Sequence, residues 1–207
     1  MHRRGFGAAA FLLGILVAGM PGAVFPEEPG KAEREERVES GAVQVKVLDL
    51  PVVDQDGKTV RFRSGVVGDR IVVIDTFFTN CGLICPILGA IFFELQELAG
   101  ARLGKDVVLV SISVDPLTDI PPRLKKYGEQ WEARPGWLFL TGEKGNVDQV
   151  LTGLGMYAPD FANHPSAFLV GDGKTGEWTR FYGFATPEQL MERVRELTEK
   201  RKSGGKT

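Results

Sequence analysis

Two cysteines and one internal histidine are the residues of this chain best suited to chemistry. Cys81 and Cys85 are its only cysteines, and they lie in residues 75–86, which read DTFFTNCGLICP. Thiolates attack disulfides and bind soft metal ions, so a close pair of cysteines indicates redox exchange or metal binding. A static disulfide or a pair of inert thiols is the other interpretation. A bridge that closes so short a loop would stabilise the fold little, which weakens the disulfide interpretation.

His164 is the third candidate, because the other histidine of the chain is residue 2. Taken alone, it would be an ordinary loop histidine. Converging with two thiolates, it would complete a soft set of two sulfur ligands and one nitrogen ligand. Such a set suits Cu(I) and accepts Cu(II) with an added ligand. A structural zinc site usually takes four protein ligands, and this chain has no third cysteine and no other internal histidine to supply the fourth.

The elements that must position the cysteines are a buried strand before them and a helix after them. Residues 71–74 form an apolar run, and apolar residues recur at helical spacing from residue 87 to residue 98. Pro86 suits the first turn of a helix, so Cys85 is expected at the helix N-terminus and Cys81 in the loop before it. The free N–H groups and the positive dipole end of the helix would then favour both sulfurs as thiolates.

The rest of the chain alternates strands and helices and then ends in a hairpin and a helix. An Asp-Gly turn at residues 56–57 predicts a first hairpin. The predicted strands are 52–53, 60–62, 71–78, 107–114, 137–140, 167–170 and 178–182, and the predicted helices are 87–98, 122–131, 147–154 and 187–200. This order predicts an α/β protein, a thioredoxin-like three-layer sandwich with an added N-terminal β-hairpin. We assign residues 42–200 to this domain and the basic, Gly-rich residues 201–207 to a disordered tail.

The N-terminal region is predicted to export the protein. Two arginines precede residues 6–25, which carry no charge, so residues 1–25 are typical of a signal peptide or an N-terminal membrane anchor. Pro21 is unfavourable for cleavage after Ala23, which leaves both outcomes open. Residues 26–41 are a charged spacer. The domain is therefore expected in the periplasm or another extracytoplasmic space, anchored to the inner membrane if the segment is kept.

Charge argues against a nucleic-acid partner. The 207 residues carry a formal net charge of −2, with no cluster of basic and aromatic residues. Nucleic-acid binding normally needs such a positive surface.

The cysteine segment resembles a known motif. Residues 77–86, FFTNCGLICP, are similar to the F-x-T-x-C-x-x-x-C-P motif of the Sco/SenC family of copper chaperones, and residues 111–116, SISVDP, resemble a second segment of that family. The resemblance implies a membrane-tethered, thioredoxin-like protein that binds copper through Cys81, Cys85 and His164. It also implies assistance in assembling the binuclear copper centre of cytochrome c oxidase. The implied partners are the copper-accepting subunit of a terminal oxidase and a thioredoxin-like reductant.

Four positions depart from that family. Gly82-Leu83 stands where Pro-Asp is common, and Asn163 replaces an aspartate before the histidine. Pro165 lies where thioredoxins keep a cis-proline, although an ordinary trans proline at the start of a strand explains it equally well. Pro165 adds weight to the alternative function, a membrane-tethered thiol–disulfide oxidoreductase in which Cys81 attacks and Cys85 resolves, and the missing acids leave the copper site less negatively charged. Whether the protein is an enzyme is therefore left open.

Two further interpretations are weaker. Asp115 and Asp119 could form a second metal site or supply a general base. The favoured interpretation is that Asp115-Pro116 ends a strand and that Asp119 precedes the next helix as a turn or cap residue. A thiol peroxidase would need Thr or Ser three residues before its cysteine and an arginine nearby. Residue 78 is Phe and the cysteine loop contains no arginine, so this function is the least favoured.

Overall fold

The structure is a computed structural model that describes residues 38–160 and 166–204. The strands are β1 (Ser40–Ala42), β2 (Pro51–Asp54), β3 (Thr59–Arg61), β4 (Ile71–Phe77), β5 (Val107–Ser113), β6 (Trp137–Thr141), β7 (Ala167–Asp172) and β8 (Trp178–Tyr182). The helices are α1 (Cys85–Ala99), α2 (Pro121–Gln130), α3 (Lys144–Leu154) and α4 (Pro187–Gly204). The sequence patterns predicted all of these elements except β1 to within a few residues.

All eight strands form one sheet in the order β1-β8-β7-β4-β5-β6-β2-β3. Strands β4, β5 and β6 are parallel, and β7 runs antiparallel to β4. The register pairs Phe77 with Ser113 and Ala167 with Tyr182. The C-terminal ends of β4, β5 and β8 and the start of β7 therefore meet at one edge of the sheet. We call it the cysteine edge, because the cysteine loop follows β4 there.

Two apolar cores cover the two faces of the sheet. On one face, Val73 packs with Phe92 of α1, Leu124 of α2 and Leu190 of α4. The other face buries the remaining side of the same strands under α3 and a π-helical turn, Phe62–Val67. Alternate residues of a strand point to opposite faces, so the near-continuous apolar runs of β4 and β5 supply both cores. The predicted three-layer sandwich is confirmed.

The added hairpin is also present. Strands β2 and β3 pair in antiparallel fashion, and β2 joins the sheet beside β6. The turn closes with a bond from the Gly57 N–H to the Asp54 carbonyl, and Gly57 adopts a φ of 80°, which glycine reaches without strain.

Two predicted boundaries are wrong. Helix α4 continues to Gly204, so residues 201–204 are helical rather than part of a disordered tail. Arg201 explains the extension, because its guanidinium donates to both carboxylate oxygens of Asp172, at 2.7 and 2.6 Å. At the other end, β1 lies across the predicted boundary between spacer and domain and pairs with β8. Its residues are exposed, so backbone pairing holds the strand without an apolar pattern that the sequence could reveal.

Several predictions fall on residues that the structure does not describe. These are the export segment at residues 6–25, most of the spacer, His164, Pro165 and residues 205–207. Among the residues that are described, none of the helices has the length and apolar character needed to cross a membrane.

Candidate metal and thiol site

The two cysteines lie together at the cysteine edge. Cys85 is the first residue of α1, Pro86 occupies its first turn, and no side chain caps the helix N-terminus. The Cys85 N–H donates to the Sγ of Cys81 at 3.3 Å, so the sulfur takes the place of a cap. Both cysteines are free thiols, with Cys81 partly exposed and Cys85 buried. The predicted positions of both residues are confirmed.

The protein environment acts on the two thiols in opposite directions. Desolvation raises the pKa of Cys81, but hydrogen bonds from the Cys85 thiol and from the backbone at Cys85, Leu83 and Ile84 outweigh it and leave the pKa below its ordinary value. Burial raises the pKa of Cys85, and its hydrogen bond to Cys81 raises it further. The expectation that the helix would favour two thiolates is therefore wrong for Cys85, because burial and the hydrogen bond to Cys81 outweigh the backbone hydrogen bond at Phe78.

A buried carboxylate lies near the two thiols. Asp75 of β4 is 2% exposed, and its Oδ1 has no hydrogen-bond partner. Desolvation raises its pKa to about 7, although a hydrogen bond from Ser111 opposes the shift. The charge of Asp75 in turn raises the pKa of Cys85. Sequence reasoning missed this residue, although a single acid inside an apolar strand was a usable signal.

A second buried carboxylate ties the cysteine loop to the β5–α2 loop. Asp119 is 1% exposed. It accepts hydrogen bonds from the Thr79 N–H at 3.1 Å, from the Thr79 hydroxyl at 2.5 Å and from the Ser113 hydroxyl at 2.7 Å. Asp119 thus precedes α2 as predicted, yet the helix has no side-chain cap. The hydrogen bonds of Asp119 hold the loop that carries Cys81.

Arg123 of α2 also contacts the cysteine loop. Its guanidinium donates to the Thr79 hydroxyl at 3.0 Å and to the side-chain oxygen of Asn80 at 2.6 Å. The cysteine loop itself contains no arginine, and Arg123 comes from a separate helix, so sequence spacing did not reveal it. The guanidinium bonds reach Thr79 and Asn80 rather than a sulfur.

The predicted three-ligand set is brought together only in part. Cys81 and Cys85 are adjacent, whereas His164 lies outside the described residues. The described chain resumes at Ser166, whose carbonyl accepts from the Gly183 N–H at the cysteine edge. Within residues 38–160 and 166–204, no three His, Cys, Asp or Glu side chains converge on a metal position. Asp115 and Asp119 therefore do not belong to a second cluster of that kind in this part of the chain.

The fold and the thiol pair define the class of protein to which this chain belongs. It is a thioredoxin-like protein with a C-x-x-x-C pair at the junction between a central strand and a helix. A model of the SCO1/SenC family matches residues 46–199. The chain belongs to the SCO1/SenC family.

One curated relative is the SCO1 protein homolog of Bacillus subtilis, which is 39% identical over 90 residues. That match spans 43% of this chain and 45% of the relative, so it covers less than half of the relative's length.

Solved structures of Sco proteins have the same fold. One of them is BsSco, described as a member of the Sco family of cytochrome c oxidase assembly proteins with a disulfide switch. It is 26% identical in sequence, and the match covers 75% of this chain and 95% of BsSco with a TM-score of 0.62. A SCO1/SenC family lipoprotein from Bacillus anthracis is 23% identical, and the match covers 76% of this chain and 96% of the lipoprotein with a TM-score of 0.63. Copper-bound ScoI of Bradyrhizobium japonicum is 23% identical, and the match covers 72% of this chain and 98% of ScoI with a TM-score of 0.59.

Proposed function

We propose that this protein binds one copper ion through Cys81, Cys85 and His164 and assists assembly of the binuclear copper centre of a terminal oxidase. The observation that carries the proposal is the pair of unbridged thiols at the N-terminus of α1, with the Cys81 sulfur 3.3 Å from the Cys85 nitrogen. The copper-bound ScoI of B. japonicum and the description of BsSco as belonging to a family of oxidase assembly proteins support it.

The donor set fits copper in its chemistry. Two sulfur ligands and one imidazole suit Cu(I), and Cu(II) is accepted with an added ligand. Thiols must lose their protons to bind a metal. Cys81 loses its proton more readily than an ordinary thiol because its pKa is lowered. Burial raises the pKa of Cys85, so copper must displace the proton of that thiol. Loading therefore requires reduced cysteines and releases a proton from Cys85.

The protein would act outside the inner membrane. Residues 6–25 would export it and, if retained, tether it, while residues 26–37 would separate the tether from β1. The acceptor of the copper would be the copper-accepting subunit of the oxidase. A thioredoxin-like reductant would keep Cys81 and Cys85 reduced.

An anaerobic Cu(I) titration against a competing chelator tests the proposal. The reduced wild-type protein should hold one copper per chain, and His164→Ala should weaken binding at least tenfold. Asn163→Ala is the matched control, because it changes the neighbouring position and removes no proposed ligand. Binding that is indifferent to His164, or absent from the reduced protein, would refute the proposed site.

A second function, thiol–disulfide exchange, is favoured by the asymmetry of the two thiols. Cys81 is partly exposed with a lowered pKa, and Cys85 is buried with a raised one. The Cys81 thiolate would attack a partner disulfide and expel one partner sulfur as a thiolate. Cys85, on losing its proton, would then attack the Cys81 sulfur and release the second partner thiolate. The partner gains two electrons, and this chain is left with a Cys81–Cys85 disulfide.

The His164→Ala variant also separates the two functions. Exchange with a small disulfide substrate should keep nearly its wild-type rate in this variant if the chain is a reductase, because His164 takes no part in that reaction. Cysteine variants cannot make this distinction, since both functions use the same sulfurs.

A further inference from the structure

The exposed apolar side chains of this protein are concentrated around its cysteines. Of the eight large hydrophobic residues exposed in the described chain, Leu98 lies at the far end of α1. Tyr157 borders a hollow beside Leu117. The other six lie in the segments that meet at the cysteine edge, and we call them the apolar rim: Leu83, Ile87, Leu117, Ile120, Tyr182 and Phe184.

Three separate segments supply the apolar rim. Leu83 and Ile87 come from the cysteine loop and the first turn of α1, and they flank Cys85. Leu117 and Ile120 come from the β5–α2 loop, and Tyr182 and Phe184 from the end of β8. Leu83 is 84% exposed and Leu117 is 75% exposed, so the fold does not use either side chain for its core.

Hydrogen bonds hold the segments of the rim in place. Asp119 joins the β5–α2 loop to Thr79 of the cysteine loop. The Val114 N–H donates to the Phe77 carbonyl and so also joins the β5–α2 loop to the end of β4. In the segment after β8, the Gly183 N–H donates to the Ser166 carbonyl. A preorganised apolar surface loses little conformational entropy when it binds a partner.

Two cations stand beside the rim without acidic partners. Arg123 and Lys126 of α2 line a groove together with Thr79 of the cysteine loop. Neither belongs to the ion pairs formed within residues 38–160 and 166–204. On the opposite side, near Leu117, Lys144 is neutralised by Asp148. The α2 side of the rim therefore carries two cations that form no ion pair within the described residues.

We propose that the apolar rim is the docking surface for the protein that exchanges copper with Cys81 and Cys85. The docking protein carries a complementary apolar patch bordered by carboxylates that face Arg123 and Lys126. An apolar centre with a charged border is the usual anatomy of a protein–protein interface, whereas binding to an anionic lipid surface normally uses a cluster of four or more cations. This inference rests on the proposed function, since it takes the copper acceptor as the occupant.

The point of chain entry agrees with this assignment. The Tyr182 N–H donates to the carbonyl of Glu39, so the domain begins at the cysteine edge, next to the rim. The described part of the chain therefore starts, at residue 38, beside the rim.

The test is the rate of copper transfer from the copper-loaded full-length protein to the metal-free, soluble copper-accepting domain of a terminal oxidase of the same organism. Leu117→Ser and Phe184→Ser should each lower the second-order rate constant at least tenfold. Lys126→Glu should lower it severalfold and weaken its dependence on salt, because it removes electrostatic steering. Copper affinity should be unchanged in all three variants, which alter no proposed ligand.

Matched controls lie at the opposite end of the domain. Leu98→Ser removes an exposed leucine, and Lys105→Glu reverses an exposed lysine, both away from the rim. Rim variants that transfer copper as fast as these controls would overturn the docking surface while leaving the proposed function intact. A wild-type protein that binds copper but transfers none would overturn both the acceptor and the surface.

Other occupants would be recognised in the same series. Wild-type binding to vesicles of anionic lipid that is lost in Leu117→Ser would assign the rim to a membrane and overturn the proposal. A concentration-dependent dimer, measured by sedimentation and abolished by Leu117→Ser or Phe184→Ser, would assign it to a second copy and overturn it equally.

Discussion

At the scale of single residues, the two cysteines are chemically unequal although the motif makes them look alike. The backbone N–H groups at Leu83, Ile84 and Cys85 act on the Cys81 sulfur, while Cys85 is buried in the apolar core. A partly exposed thiol with a lowered pKa reacts first, and a buried thiol with a raised pKa reacts second. This inequality serves copper loading and disulfide exchange alike.

The inequality predicts the rates of alkylation. In the reduced, metal-free protein, Cys81 should react with iodoacetamide well before Cys85, and the pH midpoint of its reaction should lie below the ordinary pKa of a thiol. Mass spectrometry of peptides labelled at a series of pH values measures both rates. Cys85→Ala should move the pH midpoint for Cys81 upward, because it removes the thiol hydrogen bond that lowers the pKa of Cys81. Equal reactivity of the two cysteines would contradict the assignment.

Asp75 predicts how stability depends on pH. Its pKa rises from an ordinary 3.8 to about 7 in the folded protein. The folded state therefore binds the proton more tightly than the unfolded state, and stability falls as pH rises from about 4 through about 7. A shift of about three pKa units corresponds to about 4 kcal/mol at most.

The substitution Asp75→Asn should remove that loss. Urea unfolding of the reduced protein at pH 8 should give a free energy of unfolding higher than wild type by about 2–4 kcal/mol, and the gain should shrink near pH 4. Asp56→Asn on the exposed hairpin turn is the control, with an expected change within about 0.5 kcal/mol. A gain of equal size at both pH values would refute the role of the Asp75 charge.

At the scale of elements, Asp119 connects the loops that follow β4 and β5. Its removal leaves Thr79 and Ser113 without their acceptor inside the protein. Asp119→Ala should lower the free energy of unfolding by about 2–4 kcal/mol, since each buried unsatisfied group costs about 1–3 kcal/mol. It should also weaken copper binding by loosening the cysteine loop.

Asp119→Asn separates geometry from charge. The amide oxygen can still accept from the Thr79 N–H, so copper affinity should recover in part while stability stays below wild type. Chemical denaturation and the chelator competition measure the two effects. Unchanged copper affinity in Asp119→Ala would show that the cysteine loop does not need the hydrogen bonds of Asp119 to bind copper.

The last turn of α4 is stabilised by the pair Arg201–Asp172. The Asp172 side chain is 1% exposed, and hydrogen bonds from Arg201 and from the Thr175 and Lys174 N–H groups offset its desolvation and lower its pKa. Removing one partner of a buried pair leaves the other charge uncompensated.

Truncation tests this end of the helix. A chain that ends at residue 200 should be less stable than the full chain by about 3 kcal/mol at pH 7, whereas one that ends at residue 204 should match it. The deficit should decrease as pH falls through the lowered pKa of Asp172, because the protonated acid no longer needs the arginine. Equal melting temperatures for the two truncated chains would argue for a tail that contributes nothing.

At the scale of the whole molecule, the central strand connects the cysteine loop to both cores. Strand β4 is buried along its length and pairs with β5 on one side and β7 on the other. Metal binding at the loop should therefore stabilise the entire domain, because a ligand that binds only the folded state raises its stability.

Copper should raise the melting temperature of the reduced protein and leave that of the oxidised protein unchanged. Differential scanning calorimetry under anaerobic conditions measures both. At a free copper concentration one hundred times the dissociation constant, the stabilisation is about 2.7 kcal/mol. His164→Ala should reduce the shift, and Cys81→Ser should abolish it. A shift of equal size in the oxidised protein would place the copper elsewhere.

The sequence by itself determined the architecture of this protein and the location of its chemistry. Continuous apolar runs marked β4 and β5, helical spacing and Pro86 marked α1, and the C-x-x-x-C motif marked the site. These signals are local, since periodicity and proline geometry act within one segment. The family motif then pointed to copper.

Only the tertiary structure decided what surrounds the sulfurs. Asp119 and Arg123 reach the cysteine loop from separate segments, and the charge of the buried Asp75 in β4 acts on Cys85. The last turn of α4 depends on Asp172 of β7. The difference between the two cysteine pKa values also follows from burial and from the direction of a few N–H groups. Sequence spacing does not encode these contacts, because desolvation and hydrogen bonding depend on which segments the fold brings together.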